Sequence, residues 1–75
     1  MSEETLVVMT KAVLDRNGVE ILDNGDLESM DSISFITMIV DLESEFNTSI
    51  PDEYLSVDYM CNLENLINVL KVLVN

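Results

Sequence analysis

Cys61 is the only cysteine in this chain and there is no histidine, so neither a disulfide nor a zinc site of Cys and His can staple the fold. With 75 residues the chain, 1–75, makes one small domain, close to the size at which an apolar core barely holds together unaided. The core must therefore be dense, and 48% of the residues are apolar, with few aromatics and many Leu, Ile, Val and Met. At this length such side chains favour a compact helical bundle.

The spacing of those residues locates the helices. In residues 2–15, Ser2 is placed to cap, Glu3 and Glu4 suit the positive end of a helix dipole, and Leu6, Met9 or Val13, and Leu14 recur at helical spacing. Arg16, Asn17 and Gly18 read as the stop. Residues 19–30 lose the period. Asn24, Gly25 and Asp26 signal a turn there, and Ile21, Leu22 and Leu27 are expected to pin the loop over the bundle, because an unanchored loop in so small a domain costs too much entropy. The second helix is predicted from Ser32 to about Phe46, capped by the Asp31 carboxylate through the amide of Ile33 or Ser34, and ended by Asn47, Thr48 and Ser49. A short helix of one or two turns is expected between Pro51 and Met60. The last is capped by Asn62, with Glu64 in its first turn, Lys71 near its end, and Leu63, Leu66, Ile67, Leu70 and Leu73 as its core face. The expected fold class is all-α: a four-helix bundle of three longer helices and one short one, with a long first loop.

The second helix carries more apolar surface than a bundle requires. At about 100° per residue, Phe35, Met38, Ile39, Leu42 and Phe46 share one arc, while Ile33, Ile36 and Val40 lie on another, turned well over ~90° away. One stripe is enough to hold a surface helix down. The second stripe begins one residue after Ser32, and with Asp41, Glu43 and Glu45 nearby it has the layout of a docking face, an apolar centre with a charged rim.

Charge restricts the partners. Fifteen acidic and three basic residues give a net charge of −12, and no cation lies between Arg16 and Lys71. Nucleic acid and anionic membranes are excluded as partners, and proteins with basic patches are favoured. So many carboxylates are also expected to repel one another and raise some of their own pKa values. Met1 to Thr5 has no basic residue ahead of an apolar stretch and no apolar run approaches the ~18 residues of a membrane span, so a cytoplasmic monomer is expected.

Catalysis by the chain itself is not expected. The acid pairs Asp23 with Asp26 and Glu43 with Glu45 fall on turns or outer faces, and neither register of the acidic loop puts glycine at the sixth position that a calcium-binding EF-hand requires, so no metal site is expected. Cys61, among acids, reads as a packing residue rather than a reactive thiol. Ser32 follows Asp31 at a helix start with no histidine to take its proton, and Lys11 and Lys71 lie near opposite ends of the chain. A functional role for this serine requires another protein to act on it.

The stretch Ser29-Met30-Asp31-Ser32-Ile33, continuing through Ile39-Val40-Asp41-Leu42-Glu43-Ser44-Glu45-Phe46 and Ile50-Pro51-Asp52-Glu53, resembles the acyl carrier protein family over essentially the whole chain. The family's pattern is Asp-Ser-Leu at the head of the second helix, an acidic helix ending in Phe, and an Ile-Pro-Asp step after it. The resemblance implies a non-catalytic, freestanding carrier of the acyl-carrier fold. Ser32 would bear 4′-phosphopantetheine, donated from coenzyme A by a Mg²⁺-dependent phosphopantetheinyl transferase, and the arm would carry acyl groups as thioesters. Motif residues would be Asp31, Ser32 and Ile33. Ile33, Ile36, Val40, Asp41, Glu43 and Glu45 would meet acyl-transferring and condensing enzymes with basic docking faces.

Some positions depart from the pattern. Ile33 replaces Leu, Ser29 and Met30 stand where a Gly and a small residue are usual, and Ser34, Thr37 and Ser44 occupy positions often acidic in fatty-acid carriers. Fatty-acid, polyketide or related specialised biosynthesis all remain open, as does an aminoacyl, D-alanyl or peptidyl carrier, although the Gly-Gly frequent before the serine in the last group is absent. The alternative of another class is an unmodified acidic interaction or regulatory module.

Overall fold

A computed structural model describes residues 1–74. It contains α1 (Glu3–Arg16), α2 (Ser32–Phe46), a single 3-10 turn (Asp52–Tyr54), α3 (Val57–Met60) and α4 (Leu63–Val74). No β-strand occurs among the described residues, and no described helix is long and apolar enough to cross a membrane. The bundle is the expected all-α one, with three longer helices and one short.

Helix α1 is the element against which both α2 and α4 pack, while α3 packs against α4. Its start is closed by Ser2, whose Oγ accepts the Thr5 N–H at 3.2 Å, and its end by Asn17 and by Gly18, which takes the left-handed φ of 72°. Leu6, Val13 and Leu14 enter the core as expected, and Met9 is only half-buried. Thr10, which the apolar pattern passes over, is wholly buried. Its hydroxyl donates to the Leu6 carbonyl at 2.7 Å, so the polar group is satisfied within its own helix and its methyl packs as an apolar residue would.

The loop between α1 and α2 is tied to the far end of the bundle by backbone bonds rather than by bulk. The Leu27 N–H donates to Cys61 and the Leu63 N–H to Gly25, while the Asn62 side-chain amide donates to Asp26 at 3.0 Å. Gly25 makes the turn at φ 91°, a conformation that side chains rarely adopt. Leu27 is buried and Ile21 half-buried, as predicted, whereas Leu22 is 47% exposed and does not pin the loop. Ile21 is bridged to Leu27 in locally extended backbone, and the next side chain therefore faces outward.

Helix α2 buries all five residues of its predicted core arc. The Asp31 carboxylate caps it by accepting the Ser34 N–H at 2.8 Å, and Asn47 ends it in the left-handed region at φ 51°. The segment after it divides into two pieces instead of forming one helix, because Ser56 is extended and its Oγ accepts the Tyr59 N–H at 3.5 Å, opening α3 as a new helix. Asn62 caps α4 through the Asn65 N–H, as expected. Val69 joins Leu66, Ile67 and Leu70 in the core, while Leu63 and Leu73 stay half-buried at its edge.

Two carboxylates are held below the usual Asp pKa of 3.8. Asp31 is lowered first by the Ser34 N–H that it caps. Asp41 is lowered first by the Arg16 guanidinium, which donates through Nη2 at 2.7 Å and Nε at 3.0 Å, and next by the Asn17 side chain at 2.8 Å. At both, local donors outweigh the desolvation that would raise the pKa.

Two outcomes follow from this packing. Leu14→Ala, at a fully buried position, loses about 2–5 kcal/mol in urea unfolding, whereas Thr10→Val changes stability by less than about 1 kcal/mol, since the Leu6 carbonyl keeps its place in the helix ladder. A lowered folded-state pKa means the unfolded chain binds more protons near pH ~4, so the contribution of Asp41 is complete above that pH and is lost as pH falls through the folded value. The difference in melting temperature between the parent and Asp41→Asn is therefore full at neutral pH and closes as the pH falls below 3.8. A difference that stays constant over this range excludes the carboxylate charge as its source.

Candidate functional site

Ser32 is the first residue of α2 and is exposed. The capping duty at this helix end belongs to its neighbour: the Asp31 carboxylate takes the Ser34 N–H, with a smaller contribution from Ile33, and the Asp31 carbonyl takes the Phe35 N–H at 3.0 Å. The Ser32 hydroxyl is thereby left without a hydrogen-bond partner among the described residues. It stands at the positive end of a helix of 15 residues, a setting that favours an anionic substituent. The chain has no histidine to take its proton, and no hydrogen bond joins it to Lys11, Arg16 or Lys71, the last two of which are paired with Asp41 and Glu3.

The residue before the pair has a structural role that the sequence alone left open. Met30 is half-buried against the core and lines two grooves beside the loop that enters α2. One, of about 310 Å³, lies between Leu27 and Met30 on the loop and Val57 and Cys61 on the α3 side. The other, of about 260 Å³, runs from Met30 and Asp31 toward Asn17 and Gly18 at the end of α1. Cys61 is half-buried at the first groove, and its thiol is pushed up from 9.0, first by burial and then by Asp58 and Asp26. It stays protonated at neutral pH, in keeping with a packing residue. Among the described residues no three His, Cys, Asp or Glu side chains are grouped to hold a metal ion.

The second stripe of α2 is on the surface. Ile33 is 78% exposed, Ile36 59% and Val40 56%, so none of the three is covered by the loop or by the segment after α2. The three carboxylates expected at its rim all have partners within the chain. Arg16 and Asn17 grip Asp41, Arg16 also lies 3.5 Å from Glu45, and Glu43 accepts the buried Ile50 N–H at 2.7 Å. Two exposed acids that sequence reasoning did not place here, Asp52 and Glu53, sit in the 3-10 turn, with Asp52 on a groove shared with Ile36 and Val40. The available signal was Ile50: once it is buried, the acids two and three residues later must return beside α2.

A family model described as a phosphopantetheine attachment site matches residues 4–60, a span that contains α1 from its second residue, the loop, the whole of α2 and α3. No curated protein and no solved structure matches the chain. The prosthetic group of that family is 4′-phosphopantetheine, covalently attached. A match over most of the chain, on a helical bundle with a serine presented at the head of its second helix, establishes that the chain belongs to the phosphopantetheine attachment site family and is a phosphopantetheine-bearing carrier protein.

Proposed function

We propose that Ser32 is the attachment residue and that the chain is a non-catalytic carrier of acyl groups in fatty-acid, polyketide or related specialised biosynthesis. The observation that carries this reading is the division of labour at the head of α2, where Asp31 closes the helix and the adjacent Ser32 hydroxyl is exposed and unengaged. When attached, the group supplies a terminal thiol able to hold an acyl chain as a thioester. The remaining roles belong to the chain's own residues. The α2 N-terminus favours the phosphodiester on Ser32, and Asp31 holds the serine in register while opposing that charge, so its further value is in helping a transferase position Mg²⁺ and coenzyme A. The base that takes the Ser32 proton comes from that transferase. Ile33, Ile36 and Val40 provide the apolar centre that successive enzymes meet.

Incubation with coenzyme A, Mg²⁺ and a broad-specificity phosphopantetheinyl transferase, followed by intact-mass measurement, yields a single phosphopantetheine adduct on the parent and none on Ser32→Ala. Absence of the adduct with several transferases favours the unmodified interaction module instead. Asp31→Asn, which retains a good helix cap, is modified roughly tenfold or more slowly at unchanged helicity. Modification at the parent rate refutes the metal-positioning role of Asp31 and leaves only the cap.

A further inference from the structure

The exposed stripe of α2 has two unlike flanks. Toward α1 lies a groove of about 430 Å³ lined by Ile36, Thr37, Val40, Asp41 and Ser44. Its one carboxylate, Asp41, already accepts three N–H groups, two from Arg16 and one from Asn17, and the same guanidinium reaches Glu45. Toward the 3-10 turn lies a groove of about 280 Å³, whose apolar wall includes Ile36, Val40 and Leu55. Glu43 also lines it, its carboxylate taken by the Ile50 N–H, whereas Asp52 on its rim and Glu53 next in the chain are exposed and neither meets a cation or a side-chain donor among the described residues.

The attraction that this surface offers a basic protein is therefore one-sided. On the α1 flank a partner's Lys or Arg would have to displace a bidentate arginine and would approach an exposed guanidinium of its own sign. On the other flank Asp52 and Glu53 are uncompensated and Asp52 borders apolar surface, the arrangement in which charge steers the encounter and burial holds it. We propose that partner enzymes dock on this carrier from the α2 and 3-10 turn side, placing an apolar side chain between Ile36, Val40 and Leu55 and basic residues over Asp52 and Glu53, with Arg16 closing the opposite flank. This rests on the carrier reading above and makes Arg16 a specificity-determining residue.

The probe is the purified phosphopantetheinyl transferase, with saturating coenzyme A and Mg²⁺ and the carrier as varied substrate at low and high salt. Asp52→Asn/Glu53→Gln raises KM about three- to tenfold at unchanged kcat and flattens its salt dependence. Asp41→Asn leaves KM within about twofold of the parent, and Arg16→Gln, by uncovering Asp41 and Glu45, lowers KM and steepens its salt dependence. Circular dichroism at the assay temperature establishes that each variant is folded. A double variant within about twofold of the parent, or a folded Asp41→Asn that raises KM as much as the double variant, overturns the one-sided docking while leaving the carrier reading intact. A parent chain that takes no adduct removes both.

Discussion

The grip of Arg16 on Asp41 joins the end of α1 to the middle of α2, and the rest of the molecule is arranged around that pair of helices. Helix α1 is the common support, carrying α2 on one side and α4 on the other through Leu6, Thr10, Val13 and Leu14. Because no disulfide or zinc site can hold these helices, their relative placement depends on packing and on a few directional contacts. The guanidinium fork is the most directional of these, since two parallel N–H donors fix both distance and orientation. Asn17 adds a third donor to the same carboxylate and bonds the Val13 carbonyl, so the cap of α1 and the clamp on α2 are one structure. Glu43 does the equivalent at the other end, holding the Ile50 N–H and so setting where the chain turns after α2.

What the sequence made legible was what depends on neighbours three or four positions away. The limits of α1, α2 and α4, their caps, the five-residue core arc of α2 and the exposed stripe beside it all follow from the 3.6 period and from side chains that bond amides nearby. The place of Ser32 at the head of α2 was legible for the same reason, as its register with Asp31 and the downstream helix is local. Contacts between distant segments were not. Nothing in the pattern joins Arg16 to Asp41, 25 residues on, and so the acids of α2 read as a free rim when they are structural. Thr10 was missed because its burial rests on an internal bond that apolar counting ignores, Leu22 was misplaced because a two-residue bridge reverses its direction, and Val69 because α4 is covered more widely than one helical stripe requires.

The scarcity of cations gives each one unusual leverage. In a chain of net charge −12 a single arginine hardly alters the long-range field, which remains attractive to basic proteins from every direction. At contact distance the field is no longer uniform, because Arg16 lies against Asp41 and Glu45 on one side of the stripe, while Asp52 and Glu53 on the other meet no cation among the described residues. A contact that stabilises the fold therefore also shapes the surface, and the two roles cannot be separated by inspecting α2 alone.

The same economy bears on Ser32, the residue proposed to take the prosthetic group. A hydroxyl with an internal base would be reactive toward any electrophile that the molecule met, including its own cargo, whereas one without a base is modified only where an enzyme supplies the missing group. At the head of α2 the cap falls to Asp31, which leaves the Ser32 hydroxyl exposed and without a hydrogen-bond partner among the described residues. Accessibility at this position is therefore a consequence of how the nearby polar groups are satisfied, and a substitution that releases one of them would act on Ser32 without touching it.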